Sequence, residues 1–145
     1  MTQELELKLV EKYPKIFVDY HGDPKQTCLT FGFECGDGWY WLIDNLCSSI
    51  QWRIDHPSWK NGAPIEIPQV IAVQVKEKFG GLRFYVDSAT SEIHTIISFA
   101  ESLSMSICEF CGTTKNVGHT SGWITTICEE CHKKSWIKDW KKIDE

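Results

Sequence analysis

A chain of 145 residues, 42% hydrophobic and 24% charged, suits one domain, or one core with a small appended module, and excludes a disordered tail or a multidomain machine. Fifteen Lys and Arg against twenty Asp and Glu leave a net charge of -5, so no global positive field draws the chain to nucleic acid or to an acidic membrane. Seven cysteines are too few for a disulfide scaffold, and four of them form two CxxC pairs, the usage of a metal site in a reducing compartment, so a cytoplasmic location is expected.

Residues 2–13 place Leu5, Leu9, Val10 and Tyr13 at helical spacing with acids near the start, and Pro14 ends the helix by removing a backbone donor. This segment mixes Glu and Lys with Leu and has no apolar signal core, and the longest apolar run, residues 39–43, is too short to span a bilayer; neither secretion nor membrane insertion is expected. After the turn cluster Gly22, Asp23 and Pro24, the alternation of Cys28, Thr30 and Gly32 with Leu29, Phe31 and Phe33 predicts a strand. Asp37 is expected to cap a helix running to about Ile54, with Trp39, Leu42, Ile43, Leu46, Ile50 and Ile54 as its buried stripe and Trp41 and Trp52 off it. Residues 55–68 hold three of the five prolines, with Asn61 and Gly62 beside Trp59, and read as a long exposed connection. Core burial is expected for most of the seven Trp.

Residues 69–87 read as two strands joined by Gly80 and Gly81. Facing Phe79 with Leu82 puts Ile71, Val73, Val75, Phe79, Leu82, Phe84 and Val86 on the core side and Gln74, Lys76, Lys78, Arg83 and Tyr85 on the wet side. Lys76, Lys78, Arg83 and Tyr85 are the only basic and aromatic patch of the first 107 residues, a candidate surface for an acidic partner. Ile93, Ile96, Ile97, Ala100, Leu103 and Ile107 mark an amphipathic helix from about Thr90 that covers the sheet. The predicted fold class is α+β, a small antiparallel sheet with covering helices in residues 1–107, followed by a four-cysteine zinc module in residues 108–145.

Cys108, Cys111, Cys128 and Cys131 read CxxC, sixteen residues, CxxC, the spacing of a four-cysteine zinc site, with Gly112 freeing the backbone to curl around the sulfurs. One structural Zn2+ is expected, standing in for a core that so short a segment cannot build. Residues 118–123 are expected to form a hairpin tip, and the second pair to open a helix through Trp136, Ile137 and Trp140; knuckle, hairpin and helix together predict a treble clef. Cys28, Cys35 and Cys47 carry no ligand pattern.

Three resemblances follow from these motifs. The segment GHTSGW before the second pair resembles the His-Me finger nucleases, with His119 in the place of the general base, although Gly118 stands where that family has an acid and His132 where it has Asn. The cysteine spacing is similar to that of GATA-type fingers, but residues 108–145 hold six Lys against six acids, which argues for protein rather than DNA contact; Lys133, Lys134, Lys138, Lys141 and Lys142 crowd the predicted last helix. From GDGW at residues 36–39, through VKEKFGGLRFY at residues 75–85, to the two CxxC pairs, the order of landmarks resembles small uncharacterised bacteriophage and prophage proteins. That resemblance implies no catalytic residue. It implies a setting in which small proteins bind and redirect a host protein complex, anti-CRISPR and other anti-defence inhibitors among them. No nucleophile with a base and no paired carboxylates stand out, so a non-enzymatic interaction protein is the leading expectation, with a nucleic-acid-binding regulator and a degenerate His-Me finger nuclease as alternatives.

Overall fold

In the computed structural model of the chain, which describes residues 1–143, helix α1 spans Gln3–Lys12 and buries Leu9 with the adjacent Tyr13. Asp144 and Glu145, the last two residues of the expected zinc module, lie outside the described residues. Glu6 is buried beside Leu9, which the apolar pattern did not anticipate. Its carboxylate accepts the Tyr20 hydroxyl at 2.7 Å and the Phe33 amide at 3.0 Å, tying α1 to two later segments. The predicted strand over residues 28–33 is therefore absent. Leu29–Phe31 forms a 3-10 turn, Gly32 follows at φ 82, and a Cβ on Gly32 would lie 2.7 Å from the Glu6 carboxylate. The alternation is that of a tight turn packed on a buried acid, with Glu6 taking the donor that a partner strand would otherwise take.

A 3-10 turn, Asp37–Trp39, leads into α2, Tyr40–Asp55, which buries Leu42, Ile43, Leu46 and Ile50 as expected. Asp37 does not cap it; its Oδ1 instead accepts the Thr2 amide at 2.6 Å. Near the end of α2, Arg53 pairs with Glu92 and donates to the His56 carbonyl at 3.0 Å and the Ser58 hydroxyl at 2.9 Å. This fixes the root of a small hairpin, β1 (Ser58–Lys60) and β2 (Ala63–Ile65), inside the expected connection. Asn61 and Gly62, both at positive φ, make its turn, and every strand residue is exposed.

The central ribbon is β3, Ile71–Lys78, paired antiparallel with β4, Gly81–Asp87. Its turn is Phe79 and Gly80, at φ 53 and 79, not Gly80 and Gly81; Lys78 faces Gly81 and Glu77 faces Leu82. Phe79 is exposed because it stands in the turn, and Val75 is buried as expected; a bulge between Ala72 and Gln74 then shifts the parity, so Ala72 enters the core while Ile71 and Val73 are half-buried. Helix α3, Ser91–Ser104, begins with Thr90 capping the Ile93 amide and buries Ile93, Ile97 and Ala100 against β4 and α2. Both rims of the ribbon are occupied. On the β4 side, Ser104 Oγ accepts the Leu82 amide at 2.8 Å and Glu101 Oε1 accepts the Phe84 amide at 2.9 Å. On the β3 side, Glu34 donates to the Val75 carbonyl and accepts the Glu77 amide, and the Ala72 amide reaches the Ile16 carbonyl at 2.8 Å.

The C-terminal segment has its own sheet, β6 (Thr126–Cys128), β5 (Val117–Thr120) and β7 (Trp140–Lys142) in that spatial order, and one short helix, α4 (Glu129–Lys133). The hairpin tip lies at residues 121–125, beyond Gly118 and His119, which sit in β5. The helix expected to reach Trp140 ends at Lys133. Asp139, at φ 62, turns the chain back so that Trp140 opens a strand against β5. The indole Nε1 of Trp140 donates to the Ile127 carbonyl at 2.9 Å, and Gly118 leaves room for that ring, since a Cβ there would lie 2.5 Å from it. The buried side chains fall into two clusters, a large one built from residues 9–107 and a small one of Cys108, Val117, Ile127 and Cys128. Among the described residues, no helix is long and apolar enough to cross a membrane.

Candidate metal centre

Four cysteines from a turn, a strand and a helix converge. Cys108 and Cys111 lie on the turn after α3; Cys128 ends β6 and Cys131 sits in the first turn of α4. All four sulfurs lie within 4.8 Å of one another, and Cys111 Sγ is 3.7 Å from Cys128 Sγ. Metal–sulfur bonds of about 2.3 Å in a tetrahedron require sulfurs about 3.8 Å apart, so the donor set fits a tetrahedral ion. The first turn is closed by the Gly112 amide donating to the Cys108 carbonyl at 2.8 Å, with Gly112 at φ 75. In the second, the Cys131 amide points at Cys128 Sγ at 3.4 Å, as backbone donors do around a thiolate.

The thiols do not share one acidity. Burial raises Cys108, and burial followed by the neighbouring Cys111 and Cys128 thiols raises Cys131 far above the ordinary range. For Cys128 burial acts upward but is outweighed by the Cys131 amide and the adjoining thiols, so its acidity rises. Crowded thiols cannot all ionise together without a cation, and a divalent ion is what permits four thiolates at this spacing. Cys35 and Cys47 lie in the main core; burial lifts Cys35 to about 12 and Cys47 well above its usual value, which makes them packing residues.

The cysteine turn is seated on the GDGW segment. The Gly38 amide donates to the Glu109 carbonyl at 2.8 Å, the Gly36 amide to Glu109 Oε1 at 2.9 Å, and the Trp39 indole to the Ile107 carbonyl at 3.0 Å. A Cβ on Gly38 would stand 2.3 Å from the Cys108 carbonyl and 2.5 Å from the Gly112 nitrogen, and one on Gly36 would stand 2.3 Å from the Glu109 carbonyl. Burial raises the Glu109 carboxyl above its ordinary range. Glu109 is a positioning residue that the cysteine pattern alone hides; an acid between two ligand cysteines, downstream of a GDG, is the available signal. Two further contacts join the module to the body. Thr126 Oγ1 donates to the Gly80 carbonyl in the ribbon turn, and His119 Nε2 lies 3.2 Å from the Met105 carbonyl, half-buried.

The candidate partner residues also meet. Lys76 faces Arg83 across the ribbon, Lys76 Nζ lies 5.8 Å from the centre of the Tyr85 ring, and Lys78 Nζ lies 5.6 Å from that of Phe79. Glu34, bonded to Gln74 at 3.1 Å, borders this face. The C-terminal lysines do not share one helix: Lys133 pairs with Glu129 and Glu130 on α4, whereas Lys141 and Lys142 lie on β7. Most Trp side chains are not core residues either. Trp39 is buried and Trp140 half-buried, but Trp41, Trp52, Trp59, Trp123 and Trp136 are exposed. Compared with protein families, curated proteins and solved structures, the chain matches none.

Proposed function

We propose that this chain is a non-enzymatic interaction protein in which one structural Zn2+ rigidifies a docking body for a host protein complex. The knuckle at residues 108–112, the β5–β6 hairpin and α4 then play the parts of a treble clef. The observation that carries this reading is the donor set itself. Four cysteine sulfurs complete a tetrahedral zinc, which leaves no coordination position for a substrate, so the ion serves shape. The partner surface is the ribbon face of Lys76, Lys78, Arg83 and Tyr85, where cations backed by aromatic rings suit an acidic protein surface. The setting suggested by the landmark pattern is a phage-encoded protein acting in the host cytoplasm, inhibiting or redirecting a host machine such as a CRISPR or other defence complex.

Affinity capture from the bacterial host, with mass spectrometry, tests the proposal. Wild type should retain one protein complex, and Lys76→Glu combined with Lys78→Glu and Arg83→Glu should weaken that retention by about tenfold or more while leaving the fold and metal content intact. Unchanged retention by a folded triple variant defeats the surface. Salt-dependent retention of DNA or RNA, or plasmid cleavage that His119→Ala abolishes, replaces the reading with a nucleic-acid function.

A further inference from the structure

The outer face of the α2 and α3 pair exposes aromatic and neutral polar side chains. Between Trp41 and Trp52 the exposed residues of α2 are Trp41, Asn45, Ser48, Ser49 and Trp52; on α3, from Thr95 to Leu103, they are Thr95, Ser98, Phe99, Ser102 and Leu103. None is ionisable, in a chain that is 24% charged. The two half-buried acids of these stretches are engaged elsewhere, Asp44 by Lys12 and Tyr13 and Glu101 by the Phe84 amide. Trp41 and Trp52 stand eleven residues apart, three helical turns, and so project from the same side of α2. An apolar groove of about 150 Å³ runs between the helices, with Leu42, Leu46 and Ala100 as its floor and Trp41, Phe99 and Leu103 along its walls.

We infer that this face is the interface of a symmetric homodimer, with the groove of each copy receiving an aromatic ring, foremost Phe99, from the other. Charge selects the occupant. A chain of net charge -5 repels its own copies over most of its surface, but this face exposes no acid between Trp41 and Trp52 or between Thr95 and Leu103, and at its Trp52 end it carries a stacked imidazole, His56, so two copies meet with no carboxylates opposed. An acidic or basic partner would find no complement there. Shape agrees, because the face carries both knobs and a hole: Trp41 is 67% exposed, Trp52 60% and Phe99 66%, and an apolar space of this volume accommodates a benzene-sized ring. Area agrees too. Aromatic side chains bury about 150–250 Å² each, so covering the exposed parts of these three removes roughly 300–500 Å² per copy, about half of the ~800 Å² per partner of a stable interface, with Leu103 and the Asn, Ser and Thr residues supplying more. Aromatic enrichment with charge depletion is the composition of an interface centre. The ribbon face of the proposed function is formed by other residues, so the dimer stands or falls independently of that function.

Sedimentation velocity on the full chain, purified with zinc and followed over a wide concentration range, is the test. Wild type should show a reversible species of twice the 16.7 kDa chain mass. Phe99→Lys, which alters the knob, and Ser49→Arg, which crowds the groove, should each weaken dimerisation by at least about 100-fold, with unchanged circular dichroism and metal content. Lys8→Glu, on α1, should leave it unchanged. A wild type that stays monomeric at about millimolar concentration, whatever foreign helix it binds, overturns the inference. So does a dimer that both folded face variants leave intact.

Discussion

Gly38→Ala isolates the seat of the metal turn from ordinary glycine effects. The added Cβ would stand 2.3 Å from the Cys108 carbonyl, 2.5 Å from the Gly112 nitrogen and 2.7 Å from the Glu109 carbonyl, all of them backbone atoms. No flexible side chain can move aside, so the two loops must separate by about 1 Å, the regime in which overpacking costs about 1–3 kcal/mol. Separation also stretches the 2.8 Å bond from the Gly38 amide to Glu109, worth about 1 kcal/mol more. We expect a loss of about 3 kcal/mol, or roughly 6–12 °C in Tm for a chain of this size. Gly62→Ala is the control: Gly62 has φ 79, but a Cβ there meets nothing within 4 Å, so only backbone strain of about 1–2 kcal/mol applies. Urea unfolding of the metal-loaded proteins compares the two, and chelator competition should show weaker metal retention in Gly38→Ala alone, about tenfold for each 1.4 kcal/mol that falls on the cysteine turn. If Gly38→Ala is no more harmful than Gly62→Ala, the seat does not hold the turn as described.

Removing the metal, or Cys108→Ser, should unfold the small C-terminal cluster, because binding supplies on the order of 10 kcal/mol of its folding energy; elemental analysis and thiol titration check this, and folded protein without metal contradicts it. Glu6→Ala should cost about 3 kcal/mol in urea unfolding, since it strands the Tyr20 hydroxyl and the Phe33 amide, and a near-neutral result would show that water replaces the carboxylate. The hydrogen bond from Arg53 holds the Glu92 carboxyl below its ordinary value of 4.5, so its contribution is complete above that value and fades as pH falls through the depressed one. The stability gap between wild type and Glu92→Gln should therefore shrink on acidification from about pH 5 to about pH 3; a gap independent of pH would refute the pairing.

What was legible in the chain had a short-range physical cause. Leu42, Ile43, Leu46 and Ile50 declare α2 because burial selects one helical side, and Thr90 declares the start of α3 because a hydroxyl satisfies an orphan amide. The metal ligands were legible for the same reason, since two intervening residues fix where both sulfurs point. Long-range contacts were not. The strand expected at residues 28–33 gave way to Glu6, 27 positions before the amide it accepts; the predicted ribbon register failed at the turn, where Phe79 takes a left-handed backbone, and the predicted core face failed beyond a bulge that hydrophobic alternation cannot display. The last helix was lost to Asp139, whose left-handed backbone sends Trp140 back to β5. Core burial is the rule for large rings but fails for most of the seven Trp; Trp41 and Trp52 lie off the buried stripe of α2 as their spacing predicts, and the groove they border is visible only once α2 and α3 are placed together.

The occupied rims of the β3–β4 ribbon limit how anything else can engage it. A lone pair of strands commonly recruits a third, from a ligand peptide or from a neighbouring molecule, through its outward amides and carbonyls. Here Ser104, Glu101, Glu34 and Ile16 already hold the amides of Leu82, Phe84, Glu77 and Ala72 and the Val75 carbonyl, so an added strand would have to displace these partners. Whatever approaches the ribbon must read side chains broadside. Until α3 has docked, the amides of Leu82 and Phe84 stand open, which makes the newly synthesised chain, rather than the finished one, the form vulnerable to fibril growth.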